Sequence, residues 1–185
     1  MLKEILNDGE QRMNKVIEFL QGEYSGLRAG RANPALVEKI MVDYYGSPTP
    51  LNQTANISCP EPRLIVIQPW DKSLVPTIEK AILKSDLGIN PNSDGVVIRL
   101  AIPQLTEERR KELVKTCSKK AEEARVSIRN VRRDLNDEIK AVEKAKECSE
   151  DESKKALDDA QKLTDKLIKR VDEIFTKKEK EIMEV

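Results

Sequence analysis

From Glu107 to Lys146 the chain contains neither glycine nor proline. A helix of about 40 residues is about 60 Å long at a rise of about 1.5 Å per residue. A compact domain of about 100 residues has a radius of gyration of only about 13 Å. A helix through this stretch overshoots any globule, so this part of the chain must build a rod. Thr106 is a suitable N-cap, and Glu107 and Glu108 complement the positive end of the helix dipole.

A rod needs partners to cover its apolar stripe, and the sequence supplies two. Leu2, Ile5, Leu6, Met13, Val16, Ile17, Leu20, Tyr24 and Leu27 recur at helical steps over residues 2 to about 29, and Gly30 and Asn33-Pro34 punctuate the end. After "ECSEDES", where Ser149 or Asp151 can cap, Ala156, Ala160, Leu163, Leu167, Val171 and Ile174 repeat to near the C-terminus. Charged residues make up 36% of the 185 and aromatics 3%, a composition of long helices with wet faces.

The middle third differs. "VEKIMVDYYGSPTPL", "RLIVIQP" and "VVIRLAI" read as strands. Between the last two, Leu74, Ile78, Ile82 and Leu83 have helical spacing, with Gly88 placed as a C-cap. The expected fold is α+β: an elongated antiparallel three-helix bundle, residues 1–30 and 105–185, carrying an inserted small β/α/β domain, residues 31–104. Two links, at Gly30, Arg31 and Ala32 and at Pro103, Gln104 and Leu105, join the parts. Such short paired links are the anatomy of a hinge, with a junction sealed by packing as the alternative.

At about 100° per residue, Leu113, Cys117, Ala121, Ala124, Ile128, Val131, Leu135 and Ile139 share one stripe of the long helix. Lys111, Lys115, Arg125, Arg129, Arg132, Arg133, Asn136 and Lys140 share the next, interrupted mainly by Glu122, while Glu123, Asp134, Asp137 and Glu138 lie on the far side. One reading is a solvated face whose arginines find acids on neighbouring helices. The other is a surface for a polyanion. It is favoured because the acids lie mostly away from the arginines rather than at the neutralising i+4 spacing, Asp137 after Arg133 excepted, and arginine displaces lysine, as planar forks facing phosphates require. Arg28 and Arg31, with Arg109 and Arg110, form a second basic group, roughly 40 Å from Arg132 along the helix. Contacts so far apart make a footprint for folded RNA rather than a pocket.

The chain offers little bond chemistry. It has no histidine and neither glycine-rich phosphate cradle, and no cofactor or metal is expected. Asp43, Asp71 and Asp94 fit turns better than a catalytic set. Trp70 stands alone, as a core or rim aromatic. Cys59, Cys117 and Cys148 match no metal or redox spacing and read as ordinary thiols in a reducing compartment. With no signal peptide and no apolar run of about 20 residues, a cytoplasmic protein away from membranes is expected.

"GLRAGRANPALVE", "INPNSDG", "QLTEERRKELVK" and "EEARVSIRNVRRDLND", in this order, resemble the bacterial ribosome recycling factor family over essentially the whole chain. The resemblance implies an L-shaped, tRNA-sized monomer with flexible links and no enzymatic activity of its own. Its partners would be the large ribosomal subunit with its rRNA and the GTPase elongation factor G, together with which it splits post-termination complexes and frees ribosomes from messenger RNA. Carried over by position, the rRNA contacts would centre on Arg28, Arg31, Arg129, Arg132 and Arg133, with Arg110 weaker; the basic stripe adds Arg125 to the expected ribosome-binding set. Departures at Cys117, Cys148 and the "NSDGVV" turn touch none of these arginines. An alternative of another class is a coiled-coil-like scaffold or chaperone, which would expose apolar residues on the bundle and bind proteins independently of RNA.

Overall fold

The computed structural model describes residues 1–27 and 31–184. They fall into two compact units, Met1–Leu27 with Glu107–Val185, and Arg28–Thr106. The first is helical: α1 (Leu2–Ser25), α3 (Glu107–Lys144) and α4 (Glu150–Met183). The second holds six strands and α2 (Val75–Lys84). The mixed α+β class expected from the sequence is the class observed.

The eight residues read as the α3 stripe are the eight that α3 buries. Buried with them in the helical unit are Met13, Ile17, Leu20 and Tyr24 of α1 and Ala156, Ala160, Leu167 and Val171 of α4. Paired side chains fix the directions. Arg12 joins Asp134 and Glu23 joins Lys120, so α1 and α3 are antiparallel. Ser153 meets Glu143 and Asp172 meets Arg125, so α3 and α4 are antiparallel as well.

Close approach of α1 and α3 depends on one small residue. Gly9 is buried, and a Cβ there would stand 2.6 Å from Leu135 Cδ2 and 2.9 Å from Cγ. Leu135 is itself fully buried, so any shift of its side chain must be taken up within the core. Further along the same interface, the buried Tyr24 hydroxyl donates to the Cys117 carbonyl at 2.6 Å. Burial is the main cause that pushes its pKa up to about 12.

Helix boundaries differ from expectation where the chain lacks punctuation. The long helix stops at Lys144 rather than about Lys146, because Lys146 takes the left-handed conformation (φ 61°) and Glu147 N–H reaches back to the Val142 carbonyl. That closure normally recruits glycine. The first helix ends at Ser25, several residues before Gly30. On α4, Leu163 and Ile174 are only half-buried, whereas Ser153 and Thr164 are buried. Their hydroxyls are satisfied by Glu143 and by the Ala160 carbonyl. Ser149 caps α4 by accepting from Glu152 N–H.

In the second unit, β3 (Ala55–Glu61), β4 (Leu64–Pro69), β6 (Ile98–Ala101) and β5 (Asn92–Ser93) form an antiparallel sheet in the order β3-β4-β6-β5. β1 (Met41–Tyr44) and β2 (Ser47–Pro50) form a separate hairpin. Ile65 and Ile67 of β4 and Ile98 and Leu100 of β6 point into a core shared with Ile78 and Ile82 of α2. β3 had no clear signal: it is an edge strand, and Pro60 is tolerated there because an edge leaves N–H positions unpaired. α2 ends at Lys84, where the Ser85 hydroxyl donates to the Ile82 carbonyl. Gly88 (φ 70°) therefore serves the following loop and not the helix cap, and Leu83 is exposed.

Replacing Gly9 by Ala gains about 1 kcal/mol of helix propensity but forces Leu135 or the helix backbone to move, at about 1–3 kcal/mol. The clash is backed by a rigid core, so Gly9→Ala is expected to lower the urea midpoint at unchanged slope. Tyr24→Phe loses a buried hydrogen bond, costing about 1 kcal/mol near neutral pH. The wild type should also lose stability as pH rises from about 10, where the unfolded tyrosine ionises, through about 12, where the folded one does. Because the raised folded pKa favours the protonated fold, this contribution is present below that window and gone above it. Denaturation curves for both proteins between pH 8 and 12 measure the difference.

Candidate nucleic-acid interface

Burial of the α3 stripe sets the rotation of the helix, and with it the basic edge. Arg125, Arg129 and Arg132 flank the core and are half-buried, their stems lying along the bundle; Arg133 is a further step round and exposed. This gives an edge on which guanidinium groups are presented over several turns.

The edge is not uniform. Arg125 lies under two acids: its Nε and Nη2 meet Asp172 Oδ1 at 2.8 and 2.7 Å, and Nη1 meets Glu122 Oε2 at 3.0 Å. Its side chain keeps only 20% of its exposure. Burial on its own would lower its pKa, but the hydrogen bonds from Asp172 and Glu122 outweigh it and the net direction is up. Arg129 reaches Glu122 Oε1 at 3.5 Å, the outer limit of a hydrogen bond. Arg132 Nη1 donates to the neutral Gln161 at 3.3 Å, and Gln161 in turn donates to Asp165. Arg132 Nε is buried with no partner. Arg133 makes no ion pair among the described residues. Positive charge therefore becomes less compensated from Arg125 towards Arg132 and Arg133.

These contacts correct part of the expectation from sequence. Glu122 stands within the basic stripe and binds two of its arginines, at i+3 and i+7. Asp172 comes from α4, whose register with α3 no single-helix projection can show. Arg125 is thus a cross-link between α3 and α4, as in the solvated-face reading, while Arg129, Arg132 and Arg133 keep nitrogen atoms free of acidic partners. Gln161 and Asp172 were missed for the same reason. Arg12, tied to Asp134 on the opposite side, was also unforeseen.

At the start of α3, Arg109 pairs with Glu112 at 3.0 Å and Lys111 with Glu107 at 3.3 Å. Arg110 is half-buried, with its Nε enclosed and unpartnered. Arg31 is exposed in the second unit. Arg28 and Gly30 lie outside the described residues. The ends of the second unit share an anchor: Ala32 N–H donates to the Pro62 carbonyl at 2.7 Å, and Ile102 N–H donates to the Arg63 carbonyl at 2.8 Å. Arg63 also donates to Gln104 at 3.4 Å. Pro103 and Gln104 are exposed, and Leu105 is half-buried.

The other groups considered for chemistry serve structure. Asp43 accepts from Gly46 N–H, Asp71 from Ser73 N–H, and Asp94 from Val96 and Val97 N–H, each closing a turn. The bonds from Val97 and Val96, with Arg99, lower Asp94 to about 2. Trp70 is 63% exposed and donates to Asn56, a rim position. Cys117 is buried, Cys59 and Cys148 half-buried, and all three are free thiols pushed up by burial. Among the described residues no helix is long and apolar enough to cross a membrane.

A bundle of three long helices with a basic edge, interrupted in sequence by a small unit of strands and one helix, defines an α+β protein that carries guanidinium groups along a rod. Comparison with known proteins makes the class particular. The family described as Ribosome recycling factor matches residues 20–183. The chain is 66% identical to the ribosome-recycling factor of Syntrophomonas wolfei over 185 residues, the whole of both chains. It is 62% identical to that of Heliobacterium modesticaldum, again over the whole of both. It is similar to a solution structure of the ribosome recycling factor (TM-score 0.79, 50% identity, covering 100% of this chain and 98% of that one). It is also similar to the T. thermophilus ribosome recycling factor in a structure with E. coli elongation factor G bound to the E. coli post-termination complex (TM-score 0.65, 47% identity, full coverage of both). This chain belongs to the ribosome recycling factor family, the one its four motifs resemble.

Since Arg125 is bound on all three nitrogens and Arg133 on none among the described residues, the two should separate in a stability assay. Arg125→Met is expected to cost about 1 kcal/mol in urea denaturation, the scale of a charged hydrogen bond partly open to solvent. Arg133→Met should fall within about 0.5 kcal/mol of wild type.

Proposed function

We propose that this chain acts on the ribosome after termination, binding the large subunit through the basic edge of α3 and, with elongation factor G, splitting the complex so that the ribosome is released from messenger RNA. The single observation that carries the mechanism is the edge itself: Arg129, Arg132 and Arg133 on a rigid helix, with nitrogens unclaimed by acids. Guanidinium forks spaced along a rod suit the phosphates of a folded RNA. Arg110 and Arg31, with Arg28, extend the proposed footprint, and Arg125 contributes by holding α3 to α4.

The chain contributes recognition and leverage rather than bond-making; the energy comes from GTP hydrolysis by the partner. We take the second unit to swing about the links at Gly30–Ala32 and Pro103–Leu105. The shared anchor supports this: one turn, Pro62-Arg63, holds both Ala32 and Ile102, so the two links leave the unit side by side. Paired adjacent links permit rotation without unfolding either unit. The chain works as a monomer in the cytoplasm.

A scaffold or chaperone reading draws on Phe19 and Val126, the large apolar side chains exposed in mid-bundle, at 70% and 46%. Scattered exposed apolar residues are ordinary on soluble proteins. Co-sedimentation with ribosomes, with and without nuclease, separates the two readings, because only the RNA-facing one depends on intact rRNA.

Arg132→Ala should weaken binding to large subunits by about tenfold or more, the scale of one charged hydrogen bond of about 1.4 kcal/mol or above. It should flatten the slope of log affinity against log salt by about one and leave helicity unchanged. Wild-type affinity across the salt series would contradict the proposal.

A further inference from the structure

Glu122 is the acid that interrupts the basic stripe of α3 between Lys111 and Lys140, and it is bound to two of the stripe's arginines. Its Oε2 meets Arg125 at 3.0 Å and its Oε1 meets Arg129 at 3.5 Å. The side chain remains 57% exposed. An acid placed this way is not needed for packing, since Asp172 already holds Arg125 on two nitrogens. What Glu122 does is occupy, on the open face, the positions that phosphate oxygens would take. Its carboxylate presents two oxygens to guanidinium groups on successive turns, as a bridging phosphate can.

We propose that Glu122 is an affinity-limiting residue of the RNA-binding edge, an internal competitor that phosphate must displace from Arg129 and Arg125. The inference rests on the reading of this edge as the ribosome-binding surface. Exposed ion pairs are weak, so displacement is cheap and binding still proceeds. The displaced carboxylate stays within a few ångströms of the incoming phosphate and repels it, which raises the dissociation rate rather than blocking encounter. A factor that must leave each ribosome to act on the next is served by fast release. Gln161 at Arg132 and the absence of an ion pair at Arg133 among the described residues leave the competitor confined to one end of the edge, so anchoring and release belong to different arginines.

The test compares wild type, Glu122→Gln, Glu138→Gln and Arg132→Ala, each as the full chain, binding to isolated large subunits over a salt series with association and dissociation rates recorded. Glu138 is an exposed acid on the opposite side of α3 and controls for net charge. Glu122→Gln is expected to bind about three- to tenfold tighter, the effect of removing one charge a few ångströms from a phosphate in a wet interface. Most of the gain should come from slower dissociation, with the salt slope steeper by up to about 0.9. Unchanged or weaker binding by Glu122→Gln, with Arg132→Ala still impaired, overturns the competitor role and leaves the binding surface standing. Equal tightening by Glu138→Gln also overturns it, since the effect would then be global charge. If Arg132→Ala and Glu122→Gln both match wild type, the surface itself is misassigned.

Discussion

The apolar stripe of α3 holds the helical unit together, and nearly every feature of the basic edge follows from it. Ile128, Leu135 and Ile139 are fully buried between α1 and α4, and the alanines at 121 and 124 let the helices close in. Gly9 does the same from α1, against Leu135. Once these residues point inward, a helix of about 100° per residue leaves no freedom in where Arg125, Arg129, Arg132 and Arg133 emerge. A rotation of α3 by one residue would bury an arginine and expose an isoleucine, which desolvation and lost apolar burial both oppose. The core is therefore what aims the cations.

Within that frame the acids, rather than the arginines, differentiate the edge. Asp172 fixes Arg125 to α4, Glu122 tethers Arg129 weakly, and Gln161 steers Arg132 without neutralising it. Four arginines with one sequence pattern thus have four electrostatic settings, from clamped to open. Under the RNA-binding role proposed for this edge the gradient favours release, because uniform bare arginine would favour holding over letting go. The second unit has its own organisation, a small sheet and one helix whose entering and leaving segments share the turn at Pro62 and Arg63.

Periodicity revealed what depends on a single helix. All eight buried residues of α3, the Ser149 cap and the strands around Ile65 and Ile98 were legible, because each is decided by local spacing or a capping side chain. Boundaries shifted where a non-glycine residue did a glycine's work, as Lys146 does after α3, or where a serine closed a helix before its expected glycine, as Ser85 does. Strand β3 escaped because an edge strand with Pro60 carries no alternating signal. The partners of the arginines were hidden more deeply. Asp172 and Gln161 reach α3 only through the register of α4 against it, which is a tertiary quantity. The four family motifs, by contrast, were visible in the chain as written, and the family they indicated is the one to which it belongs.

The most direct measurement is a structure of this chain bound to the large ribosomal subunit, resolved well enough to place side chains on α3. The expected result has rRNA phosphate oxygens within hydrogen-bonding distance of Arg129, Arg132 and Arg133, with Arg125 still joined to Asp172. A bound state in which this edge faces solvent or protein, and the RNA lies against another side of the bundle, would contradict it.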